Sequence, residues 1–160
     1  MEPRADPLSE LTTLLRRELQ LVDALRDALA RQRAGIANDD PGALEASARE
    51  VGRIVFGLEE ARRRRATLVG AIVGDRAFPL ARFEERLAGP LPEEFVRARA
   101  DLREAGQGAA HEVLINHAVL RQAVEAGEPM LRQLFAPTDD APVIDGTGGR
   151  VPTRPLRRRR

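Results

Sequence analysis

The sequence predicts an all-α protein: an antiparallel coiled-coil hairpin with a third, segmented long helix laid along it and a disordered C-terminal tail. Three observations carry that expectation. Leu8, Leu15, Val22, Leu29 and Ile36 recur every seven residues, the spacing that holds one side of a helix against another helix. A second run of sevens, Leu44, Val51, Leu58, Arg65 and Ile72, begins just past the turn Asn38-Asp39-Asp40-Pro41-Gly42. Aromatics make up only 3% of the chain and all five are Phe. The core must then be built from Leu, Val, Ile and Ala, which suits helix packing better than a sandwich or barrel.

The first helix starts with Asp6 as N-cap and Pro7 at the first helical position and runs to about residues 35–38. Leu11, Glu18, Leu25 and Gln32 form its alternate seam. The second helix repeats the Asp-then-Pro start at Asp40 and Pro41, takes Ser47, Ile54, Ala61 and Leu68 as alternate seam, and ends at Gly74. Each is about 40–50 Å long at the helical rise of about 1.5 Å per residue. With the turn centred near Asp39, residue i faces roughly 78 − i across the pair. Gln32 then meets Ala46 or Ser47, and Glu18 lies within reach of Arg62 or Arg65. The polar defects of one seam meet polar residues of the other, an arrangement that sets register more than it adds stability.

Residues 75–91 read as a connection. Pro79 opens a short helical piece, Leu80, Phe83 and Leu87 share one face, and Gly89-Pro90 closes it. Pro92, Glu93 and Glu94 start the third helix, which reaches about Phe135. Its apolar residues fall in two phases. Phe95, Leu102 and Ala109 belong to one, and Val113, Leu120 and Leu134 to another. Gly106 and Gly108 mark the change, and Gly127 and Pro129 a second interruption, so this helix is expected to be broken or mobile in its second half. From Ala136 on, four prolines, three glycines and no sustained apolar period predict disorder. The domains are therefore a helical body, 1–135, and a tail, 136–160.

Composition closes off most chemistry. Cysteine is absent, which removes disulfides, thiolate metal sites and cysteine nucleophiles. His111 and His117 stand six apart, about 120° around a helix, whereas the helical zinc motif needs them four apart. Carboxylates pair with arginines four residues on, as in Glu59–Arg63 and Glu60–Arg64, and no isolated acidic pair suits acid–base work. Gly146, Gly148 and Gly149 lack the strand and helix a phosphate loop requires. No enzyme activity, metal, cofactor or small-molecule substrate is expected. The segment MEPRADPLSEL has no apolar leader and no stretch reaches the ~20 apolar residues of a membrane span, so the cytoplasm is the expected location.

The net charge is +1. Six arginines against three aspartates give the tail +3, which leaves −2 on residues 1–135. The run Arg157 to Arg160 could hold polyanions through charge alone. The acidic body and the lack of aromatic stacking residues argue against nucleic acid as a partner. Arg62 to Arg65 spread around a helical turn and read as solvated, with one facing Glu18. The candidate partner surface is the second half of the third helix: Val113, Leu120, Val124, Leu131 and Leu134 either cover the hairpin or offer a face to a partner helix.

The stretch 11–51, a long N-terminal helix leading through the turn, EEARRRRATLVGAI in a second helix, INHAVLRQAVEAGEPMLRQLF in a third, and a Pro-rich tail with VIDGTGG together resemble the flagellar export chaperone family FlgN over about residues 8–150. The resemblance implies a non-catalytic cytoplasmic helical hairpin. Such proteins hold hook–filament junction proteins before secretion and deliver them to the type III export gate. It implies that Asn116 matches the Asn opening the family's client-gripping helix, with Leu120, Val124, Leu131 and Leu134 lining the client face. Ile144, Asp145 and Gly146 stand in place of the family's Tyr-Asp-x-x-Gly tail motif, the export-gate docking segment, with Ile144 where the family has the aromatic anchor. The rival expectation is a coiled-coil adaptor or oligomerisation module unrelated to secretion.

Overall fold

The computed structural model describes residues 6–135; the tail, with Ile144, Asp145, Gly146 and Arg157 to Arg160, lies outside them. Among the described residues the elements are α1 (Pro7–Ala37), α2 (Pro41–Val73), a 3₁₀ segment (Leu80–Glu85) and α3 (Glu93–Phe135), with no strand. The chain divides into two units, 1–124 and 125–160.

Local chemistry sets the ends. Asp6 accepts from Leu8 N at 3.3 Å and Asp40 from Ala43 N at 2.9 Å, each just before a Pro that has no N–H to leave unpaired. At the α1–α2 turn Asp39 takes a positive φ of 51°, and Asp40 N reaches back to Gly35 O at 2.9 Å. Gly35 is needed there, because a Cβ would sit 3.1 Å from Leu44 N. Gly74, at φ 81°, closes α2 with its N–H on Gly70 O.

Helices α1 and α2 pair antiparallel. The close contacts Gly57 with Leu21 and Gly35 with Leu44 fit the expected register within one residue. Ile54, Leu58, Ala61 and Val69 of α2 are buried against α1, whose seam of Leu11, Leu15, Val22, Leu25 and Leu29 is buried throughout. The first part of α3 packs on α1 in parallel. Arg16 bonds Glu94, Gly108 lies beside the Arg26 guanidinium, and Arg33 meets Glu112 and Asn116. The seam α3 presents is Phe95, Ala98, Leu102, Ala105, Ala109, Glu112 and Asn116, alternating three and four apart.

That seam revises the expected phase change. The phase of Phe95, Leu102 and Ala109 continues to the buried Asn116, and α3 runs unbroken through Gly106 and Gly108. The register carries Gly108 past the Arg26 side chain, in the space a larger residue would fill. In the second unit, described by itself, the helix also continues through Gly127 and Pro129. Pro129 and Glu125 are both exposed, so water can reach the carbonyl that Pro129 leaves without a donor. Glu128 and Arg132 form an i,i+4 ion pair there at 2.7 Å.

The connection closes the other end of the bundle. Phe83 is fully buried and stacks on Phe95 at 5.5 Å between centroids, with Phe78 at 6.1 Å. Arg99 ties the segment to α3 by donating to Leu80 O at 2.7 Å and pairing with Glu84 at 2.6 Å. The Arg99 hydrogen bond holds the Glu84 carboxyl below its ordinary value, and Arg82 does the same for Glu85.

Candidate partner-binding surface

Two polar residues of the α1 seam decide which faces remain free. Glu18, with a side chain only 3% exposed, accepts from Arg65 Nε at 2.7 Å. Fourteen positions on, buried Gln32 accepts from Asn116 Nδ2, while Asn116 Oδ1 accepts from Arg33 Nη1 at 2.7 Å. Glu112 Oε2 lies 2.7 Å from Arg33 Nη2 but out of line for a hydrogen bond. One polar pair thus ties α1 to α2 and the other ties α1 to α3. The Glu18–Arg65 pairing follows the expected register. Gln32 makes no hydrogen bond with Ser47 across the pair; the Ser47 hydroxyl instead donates to Leu44 O within α2. The α3 backbone brings Asn116 to Gln32 first.

This places the sequence-predicted residues unequally. Asn116 is 2% exposed and stands inside α3, not at a helix start; it is a latch between helices and not part of a surface. Val113 is 46% exposed and Val124 67%. Leu120 is half-buried. These three lie at i, i+7 and i+11 and share one side of α3. Leu114, 70% exposed, lies about 100° around the helix from Val113 and was missed because it fits neither apolar phase. The side chains of Leu131 and Leu134 fall outside the described residues. All of Arg121 to Val124 is exposed, since α1 ends at Ala37, level with about residues 115–121 by the α1–α3 contacts.

Val113, Leu120 and Val124 form a narrow apolar stripe, and polar residues stand between it and Leu114. His117 and Arg121 are exposed on the same turns. No three metal-ligating side chains come together among the described residues, and no described helix is long and apolar enough to cross a membrane. What this arrangement offers is a helix side for another helix to lie against. No protein-family model matches the chain, and no curated protein or solved structure does.

Proposed function

We propose that the protein is a non-catalytic export chaperone that holds the amphipathic terminal helix of a flagellar hook–filament junction protein on α3. The observation that carries this is the exposure of Val113, Leu114 and Val124 on a helix whose own seam is already filled. Such apolar side chains gain by burial under a partner, at about 25 cal/mol per Å2. A client helix with leucines at helical spacing would lie along Val113, Leu120 and Val124 by helix-in-groove recognition. Covering the client's own apolar stripe keeps it from assembling early. The setting is the cytoplasm, and the destination of the client is the type III export gate.

The test is capture of hook–filament junction proteins from the same cell by the full chain, with Val113→Glu/Val124→Glu as the control. Both positions are solvent-exposed, so the variant keeps the fold. Binding at 1:1 that the variant loses supports the proposal. Unchanged binding by a folded double variant removes the assigned surface. Capture of no junction protein, with dimers in light scattering, points instead to an oligomerisation module.

A further inference from the structure

Phe56 is 70% exposed, whereas Phe78, Phe83 and Phe95 are each buried to 8% or less. It lies off both heptad seams of α2. Beside it runs an open groove between α1 and α2. Two hollows of about 500 and 210 Å3 lie next to one another along it and share Leu14, Glu60 and Arg64. The floor of the groove is Leu14, Leu21, Gly57, Ala61 and Leu68. The small residues on the α2 side, Gly57 and Ala61, let another backbone come close. On α1 the groove extends from Glu10 to Leu21, about 16 Å or three helical turns.

Arginines outnumber carboxylates along the rims. Arg17 on α1 bonds only neutral Gln20, at 3.2 Å. On α2, Arg63 approaches Glu59 and Glu60 no closer than 3.8 and 3.9 Å, and Arg64 shares Glu60 with it at 3.3 Å. Three cations thus face two lining carboxylates, Glu10 and Glu60, and the ion pairs they make are loose, exposed and weak. The Arg62 to Arg65 run gains a reason here: Arg65 turns inward to Glu18 while Arg63 and Arg64 border the groove.

We propose that the α1/α2 groove is a second docking site, for an amphipathic helix of another protein whose apolar stripe is flanked by acidic residues. The stripe would lie on Leu14, Leu21 and Leu68 under Phe56, with its carboxylates on Arg17 and Arg64. The chain's own tail is a poor occupant because it carries six arginines and three aspartates. A second copy offering its Val113–Val124 side brings Arg121, the wrong charge. The site lies on α1 and α2, so it stands or falls independently of the α3 surface.

The probe is a 14-residue helical peptide with leucines at i, i+3, i+7 and i+10 and glutamates flanking them, labelled for fluorescence anisotropy against the full chain. Its control replaces each Glu by Lys. The glutamate peptide should bind at least tenfold tighter than the lysine peptide, and weaken at least tenfold from low salt to 0.5 M salt. Arg17→Glu/Arg64→Glu should reverse the preference. Gly57→Gln should abolish binding, since a Cβ at Gly57 meets Leu21 at an ordinary 3.5 Å and the longer side chain fills the floor without displacing the helices. Val113→Glu/Val124→Glu should change nothing. Equal binding of the two peptides, or binding that survives both groove variants, overturns the proposal. A concentration-dependent dimer abolished by Phe56→Ser overturns it in favour of self-association.

Discussion

Replacing Asn116 by Ala tests the latch that sets the position of α3. Its amide donates to Gln32 Oε1 and accepts from Arg33, and it is 2% exposed. Truncation leaves the Gln32 carbonyl, on a residue only 9% exposed, without its hydrogen-bond donor. A buried polar group so orphaned costs about 1–3 kcal/mol. Arg33 adds little, because its side chain is 27% exposed and keeps Glu112. The expected loss is about 2 kcal/mol, a large share of the 5–15 kcal/mol typical of a domain. Gln32→Ala should cost a similar amount, and the double variant less than the sum, with a coupling of about 1 kcal/mol. Gln32→Leu/Asn116→Leu should recover most of the stability while relaxing register, seen as higher oligomers in light scattering. Urea unfolding followed by far-ultraviolet circular dichroism measures each value. Asn116→Ala within about 0.5 kcal/mol of the parent, or strictly additive single variants, would refute the latch.

Three further outcomes follow from the packing. Phe83→Ala removes a fully buried ring stacked on Phe95 and should cost about 3–5 kcal/mol in urea unfolding; a loss under 1 kcal/mol would mean the connection is not part of the core. Gly106→Ala meets nothing within 4 Å and should raise stability by about 0.5–1 kcal/mol through helix propensity, whereas a decrease would show that α3 needs a break there. Glu84 and Glu85 are held below the ordinary 4.5 by Arg99 and Arg82. Their folded values lie under the unfolded ones, so their contribution is complete above the ordinary carboxylate range and fades as pH falls through the lowered values. The urea midpoint should therefore drop less between pH 6 and pH 3 in Arg99→Ala than in the parent; identical drops would contradict the role given to Arg99.

Much of the fold was legible because its signals are large and local. Asp-Pro starts, the turn at Asp39 and the heptads of α1 and α2 each place big aliphatic residues where the backbone period puts them. The pairing of Glu18 with Arg65 could be read from the same register. The third helix was misread for a physical reason. Its seam is filled by Ala98, Ala105, Ala109, Glu112 and Asn116, small or polar residues that carry no hydrophobic signal, while the large Val113 and Leu120 stand one position off it. Counting large apolar residues therefore reported a phase change that the backbone does not make. Asn116 shows the same limit. A buried asparagine and a client-gripping asparagine look identical until the partner, Gln32, is known from tertiary contacts. Phe56 was readable in principle, as a large aromatic on neither seam.

The central claim is that the seven-residue stripe of α1 is already occupied by α2 and α3, which leaves the outer side of α3 for the client helix proposed above. Hydrogen exchange measured residue by residue, with and without the terminal helix of a hook–filament junction protein, addresses it directly. The predicted result is slow exchange along α1 in both states, with added protection confined to residues 110–124 and the helix beyond. Fast exchange along α1 in the free protein, slowed only when the client binds, would contradict it and make the stripe itself the binding surface.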